Sequence, residues 1–111
     1  MASFKFFRKI GSALSAGNAT TDEVGPNDLS SCTEVTYYIV FGAATSAGAV
    51  QVESAHVPAY SGTWAAEGSP TAWVAATRVH KVSITGISNV ARARVSTAIV
   101  GGTVDIYAMG N

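Results

Sequence analysis

The sequence predicts an all-β protein: an antiparallel β-sandwich or jelly-roll-like domain of about six to eight short strands. Three observations point there. Apolar and polar residues alternate along several runs, the period-2 pattern of strands with one buried face. Glycine, proline, serine and asparagine punctuate those runs at intervals of ~8–12 residues, the spacing of turns between paired strands. The 111 residues hold only two leucines, Leu14 and Leu29, but eleven glycines and many β-branched side chains, which argues against a helical bundle.

The first segment reads differently from the rest. In FKFFRKIGSALSA, Phe6, Phe7, Ile10, Ala13 and Leu14 recur at helical spacing with Lys5, Arg8, Lys9 and Ser12 opposite. An extended or partly helical N-terminal arm is therefore expected. GNATTDEVGPNDLSS follows as turn and linker, rich in Asp22, Glu23, Asp28, Gly25 and Pro26. The composition changes near residue 31, which divides the chain into an arm or linker over 1–31 and a β domain over 32–111.

Strands then follow in order. In TEVTYYIVF, Val35, Tyr37, Ile39 and Phe41 share one face, with Thr36, Tyr38 and Val40 on the other. Val50 and Val52 alternate with Gln51 and Glu53. Trp73, Val74 and Ala75 form a short apolar run, and Val82 and Ile84 share a face of VHKVSIT. In ARARVSTAIV, Ala91, Ala93, Val95 and Ile99 oppose Arg92, Arg94 and Ser96. Val104, Ile106 and Ala108 alternate with Thr103, Asp105 and Tyr107. Breakers fall at Ala47-Gly48, Ser61-Gly62, Gly68-Ser69-Pro70, Gly86 with Ser88-Asn89, and Gly101-Gly102.

Charge is scarce. Charged residues make up 13% of the chain, against a usual ~25%. Seven basic residues balance seven acidic ones, so no global field gathers nucleic acid or steers a charged substrate. One cysteine, Cys32, rules out an intrachain disulfide framework and a cysteine-only zinc site. No run of ~18 apolar residues is present, so no membrane-spanning helix is expected. The charged start is followed by IGSALSAG, too small and polar for the core of a signal peptide. Asn18-Ala19-Thr20 matches a glycosylation sequon, which matters only in a secreted protein.

Catalytic signatures are missing. His56 and His80 are the only neutral-pH proton carriers, and no H-x-H, H-E-x-x-H or C-x-x-C spacing offers a metal site. No serine lies in G-x-S-x-G. Glu53, Glu67 and Asp105 read as solvated charges rather than a glycosidase pair, because nothing in so short a chain builds a cleft around them. The glycines at 101–102 precede a strand, not a helix, so they cradle no phosphate. The expectation is a non-enzymatic chain without cofactor or metal.

Two groups of side chains stand out as contacts. Arg92 and Arg94 form a basic stripe on one strand face, in a stretch from Glu67 to Asp105 that has no acidic residue between. Aromatics are not interleaved with it, so an acidic protein surface suits it better than nucleic acid. Tyr60 and Trp64, in a turn-rich stretch, either pack in the core or form an exposed aromatic platform for a partner or a sugar.

The run GAVQVESAHVPAYSGTWAAEGSPTA, the later ARARVS strand and the terminal GTVDIYAMG together resemble small β-sandwich domains of tailed-bacteriophage virion proteins. The likeness covers roughly residues 33–111 and departs from the common pattern at Ala55-His56, where a Gly or Asp-Gly turn is often found. Such domains serve as capsid decoration (cement) proteins, head fibres and tail components, and are not enzymes. The resemblance implies a decoration protein on the capsid surface of a virion, bound to the major capsid protein and to copies of itself, with a trimer as the expected oligomer. On that reading Phe4, Phe6, Phe7 and Ile10 bury on the partner, while Lys5, Arg8 and Lys9 pair with its acidic groups. The alternative settings are a tail or head fibre, or a receptor- or carbohydrate-binding module using Tyr60 and Trp64. An amphipathic stripe over residues 3–16 lying on a lipid surface is a further rival; neither membrane nor nucleic acid is the expected partner.

Overall fold

The computed structural model describes residues 5–29, 32–85 and 89–111. Among the described residues, eight strands and one short helix make two antiparallel sheets. In chain order they are β1 (Phe6–Leu14), α1 (Pro26–Leu29), β2 (Glu34–Phe41), β3 (Ala47–Ala55), β4 (Ala65–Ala66), β5 (Thr71–Ala72), β6 (Val79–Thr85), β7 (Val90–Val100) and β8 (Val104–Gly110). The first sheet runs β1-β8-β2-β6. In the second, β7 pairs along one edge of β3, and the short β4 and β5 share the other.

The core lies between the sheets and is built by alternation. β2 contributes Val35, Tyr37, Ile39 and Phe41, and β8 contributes Val104, Ile106 and Ala108. Across from them β3 supplies Val50 and Val52, and β7 supplies Ala91, Ala93, Val95 and Ile99. Register is fixed by this arrangement, since a one-residue slip would turn each of these side chains outward. One glycine bends the second sheet. Gly48 has φ +136° and sits at the register shift between β3 and β7, where a Cβ would meet the Ile99 backbone at 3.0 Å. The Ala47-Gly48 breaker of the sequence is thus a bulge inside β3, while Gly101-Gly102 turns β7 into β8 as expected. The breaker at Gly86 and Ser88 lies outside the described residues.

Of the two forms expected for the N-terminal segment, extended or partly helical, the structure has the extended one, though not as a separate arm. Residues 6–14 are a strand, paired with β8 from Phe6↔Gly110 to Leu14↔Val104. The physical reason is local. An isolated helix this short is marginal in water, whereas β8 presents a free edge whose N–H and C=O groups need partners. Alternation then replaces helical spacing: Phe6, Arg8 and Ile10 turn inward, and Phe7 and Lys9 outward. Residues 15–24 continue across to the second sheet and line the outer edge of β7. The amide of Asn18 donates to Val95 O (2.8 Å), that of Thr21 to Ala93 O (2.9 Å) and that of Val24 to Ala91 O (2.8 Å). In return Val95 N–H donates to Ala19 O and Ala91 N–H to Val24 O. The composition boundary near residue 31 therefore marks no break in packing: Ile10, Val24 and Leu29 all belong to the core.

Two smaller features differ from expectation. Pro26 opens the one-turn helix α1, where its missing N–H costs nothing, and Leu29 at its end is buried. The Trp73-Val74-Ala75 run forms only an isolated bridge from Val74 to Thr77, and the strand there is the preceding pair Thr71–Ala72.

Ile10 decides between an arm that waits for a partner and a strand of the core. At 3% exposure, its truncation to alanine should lower unfolding free energy by about 2–4 kcal/mol in urea titration. An arm residue reserved for a partner would leave the isolated protein's stability unchanged.

Candidate functional site

The outer faces of the two sheets are dressed differently. On the first sheet, side chains that alternate with the core ones are largely apolar. Tyr38 stands opposite Tyr107 of β8 and Lys81 of β6, Val40 lies opposite Val79, and Phe7 lies opposite Met109. These side chains wall a shallow hollow of about 470 Å³. The Phe7 and Tyr107 rings stack at 5.8 Å and 7°. Phe7 is 52% exposed and Val79 54%. Lys9 closes one rim, its Nζ 5.7 Å from the Tyr107 ring centre and 3.5 Å from Asp105 Oδ2. Asp105 also accepts the Ala13 amide (2.8 Å), which fixes the irregular end of β1. The exposed apolar side chains of this sheet are gathered here, with Lys81 and Asp105 on the same face.

The outer face of the second sheet carries charge, two arginines gathered on one buried carboxylate. Glu53 on β3 stands opposite Arg92 on β7 and is only 3% exposed. Arg92 Nε donates to its Oε2 (2.8 Å) and Arg94 Nε to its Oε1 (3.1 Å). The Arg92 guanidinium lies 4.0 Å from the Trp64 ring centre, and Arg94 Nη1 donates to Asn18 Oδ1 (3.0 Å). The loop that carries Trp64 covers this face. Gln51 is likewise buried beneath it, its side-chain amide donating to Gly68 O at 3.2 Å. Covering these groups makes every residue from Ala49 to Glu53 inaccessible, although the sequence shows clean alternation.

The expected site residues thus part company. Phe4 lies outside the described residues. Lys5 is exposed, and its amide donates to Gly110 O. Phe6 packs on the core with the Arg8 guanidinium 5.4 Å from its ring centre. Ile10 is buried within the domain. Arg8 makes a two-pronged contact with Asp28, Nη1 to Oδ1 at 3.0 Å and Nη2 to Oδ2 at 2.9 Å. Of the apolar residues assigned to partner burial in the described segment, Phe7 alone sits on the open face. Arg92 and Arg94 converge on Glu53 through their Nε atoms rather than standing as a stripe with no acidic partner.

Tyr60 and Trp64 do not make an open platform. Trp64 is 6% exposed, its indole N–H donates to Tyr60 O (2.8 Å), and one of its faces is taken by Arg92. Tyr60 packs edge-on against His56, ring centres 4.8 Å apart. His80 is edge-on to Phe41 at 5.5 Å, and its Nε2 lies 3.2 Å from Thr77 O. Among the described residues no group of three metal-ligating side chains converges, and no helix is long and apolar enough to cross a membrane.

The lining residues of this apolar hollow that sequence reasoning passed over are Tyr38, Val40, Val79, Tyr107 and Met109. Their signal was present: both alternating faces of TYYIVF are apolar, which a sheet covered on one side does not require. Comparison with protein-family models, curated proteins and solved structures finds no match for this chain.

Two variants test the electrostatics. The Arg8 guanidinium, hydrogen-bonded to Asp28, holds that carboxyl below the usual carboxylate range against the opposing effect of burial. A depressed folded-state value stabilises the fold above the unfolded value of about 4, and the contribution is lost as pH falls through the folded value. Asp28→Asn should therefore cost about 0.5–1 kcal/mol at pH 7, a modest figure because the pair is partly solvent-exposed. The difference from the parent protein should shrink steadily below about pH 4 in denaturant melts repeated across pH. Glu53→Gln should cost more, about 2–3 kcal/mol, because it strands two arginines over a covered face. A loss under about 0.5 kcal/mol, the scale of exposed pairs, would contradict that account.

Proposed function

We propose that this chain is a non-enzymatic structural protein that docks on a larger protein assembly through the outer face of its first sheet. The observation that carries the proposal is the apolar hollow walled by Phe7, Tyr38, Val40, Val79, Tyr107 and Met109. Burying such a face on a partner gains about 25 cal/mol per Å² of apolar surface, and stacked aromatics are favoured anchors at interfaces. Lys9, Asp105 and Lys81 at the rim supply polar contacts that fix orientation.

The setting we propose is the one implied by the likeness of residues 33–111 to virion β-sandwich domains. The chain would decorate the capsid surface, with the major capsid protein beneath the first sheet and self-association, as a trimer, at a local symmetry site. The arm has a changed part in this reading. Residues 6–24 are built into the domain and contribute Phe7 to the contact face, rather than reaching out as a separate tether. The carbohydrate-platform alternative loses its stacking surface, because Trp64 is covered.

Capsids assembled without this chain should take up the purified protein to a fixed copy number. Val79→Asp and Phe7→Asp each place a carboxylate on the contact face. Both should weaken uptake by about tenfold or more; Val79→Asp should change unfolding free energy by little, since exposed substitutions usually stay within about 0.5 kcal/mol, and Phe7→Asp, which also loses the stack on Tyr107, by about 1 kcal/mol. Capsids that ignore the parent protein, or that bind both variants as well as the parent, would refute the reading.

A further inference from the structure

Beyond the docking face, on the opposite side of the sandwich, a second hollow of about 320 Å³ opens beside the buried Glu53. Its size is at the lower end of small-ligand sites, which run about 300–1,000 Å³. The walls are largely polar: Asn18, Thr20 and Thr63 line it together with Arg92, Arg94 and Trp64. The charge does not cancel there. Two cations share one carboxylate, so the hollow keeps one net positive charge, and no other acidic side chain lines it.

The donors are only partly used. Arg92 directs Nε at Glu53, and Arg94 directs Nε at Glu53 and Nη1 at Asn18. Among the described residues, the two Nη groups of Arg92 and Nη2 of Arg94 have no protein acceptor. Both guanidiniums are held in place before any ligand arrives, Arg92 by Trp64 and Glu53, and Arg94 by Asn18 and Glu53. A preformed pair of forks facing a small cavity suits a carboxylate, which arginine binds through parallel N–H···O bonds.

We propose that this hollow binds an acidic sugar, a carboxylate carried on a hydroxylated ring. The carboxylate meets the free edges of Arg92 and Arg94, and the ring hydroxyls meet the side chains of Asn18, Thr20 and Thr63. The mixed donors and acceptors of those three residues favour a hydroxylated ring over a bare acidic side chain, which would use the arginines alone.

Glucuronate, glucose and acetate separate the chemistries. In amide-resolved NMR titrations of the full chain, glucuronate should shift the Trp64 indole N–H and the Asn18 amide along a saturating curve. Glucose and acetate should bind about tenfold more weakly or worse, each lacking one half of the recognition. Arg94→Gln should weaken glucuronate by about tenfold. Thr63→Val, on an exposed loop remote from the core, should weaken it several-fold without touching the Glu53 cluster, which keeps the test valid should Arg94→Gln unfold. No saturable response to glucuronate overturns the proposal. Acetate binding as tight as glucuronate also overturns it, and points instead to an acidic protein side chain as the occupant.

Discussion

The structure depends on one constraint: residues 6–24 must complete hydrogen-bonding edges on two different sheets. Residues 6–14 pair with β8 in the first sheet, and residues 15–24 pair with β7 in the second. An uncovered strand edge is a row of unsatisfied backbone groups and a template for aggregation, so closing two edges with one passing segment protects both. The same crossing ties the layers together. The Asp22 amide donates to Ile10 O (2.8 Å) within the segment, and the Thr21 hydroxyl accepts from the Ala93 amide (3.0 Å). Arg8 then anchors the passage to Asp28, beside the short turn of helix that buries Leu29.

This closure decides what each outer face can be. In the first sheet, β1 adds Phe7 and Lys9 to rows already containing Tyr107, Tyr38 and Val79, and so extends the apolar face over four strands. In the second, the segment over β7 delivers Asn18 to Arg94, while the loop after β3 lays Trp64 across Arg92. Burying Glu53 beneath that cover is tolerable only because two arginines meet both of its oxygens. The first sheet therefore carries an outer face that is apolar and open. The second carries a charged cluster whose side chains are held in place by one another.

The period-2 strands were legible because one-sided burial writes itself into alternation. β2, β6, β7 and β8 follow the residues that the pattern marks, and the core faces of β2 and β8 match side chain for side chain. Three things were not legible. Phe6, Ile10 and Leu14 fit a helical and a strand period alike over so short a run, and only the free edge of β8 resolves the choice. The pairing of Glu53 with Arg92 depends on β3 lying in register beside β7, a contact across thirty-nine positions that no local pattern encodes. Trp64 follows from the same contact, since its cover requires a cation beneath it. The Arg-rich strand looked unmatched in sequence because its acidic partner comes from another strand.

The neutrality of the chain also takes on a physical meaning. Of seven basic residues, Arg8, Lys9, Arg92 and Arg94 are each engaged by a carboxylate of the same domain. Internal pairing removes most of the field that would steer a charged partner from a distance, so association through the first sheet relies on shape and apolar burial. Such contacts are weakly sensitive to salt and are tuned mainly through dissociation. The single uncompensated charge beside Glu53 works differently. It acts at short range inside a small polar hollow, where solvent screens it less than on the open surface. A domain with little charge in this way keeps two kinds of surface apart: an apolar face on one sheet, and a hollow with a net positive charge on the other.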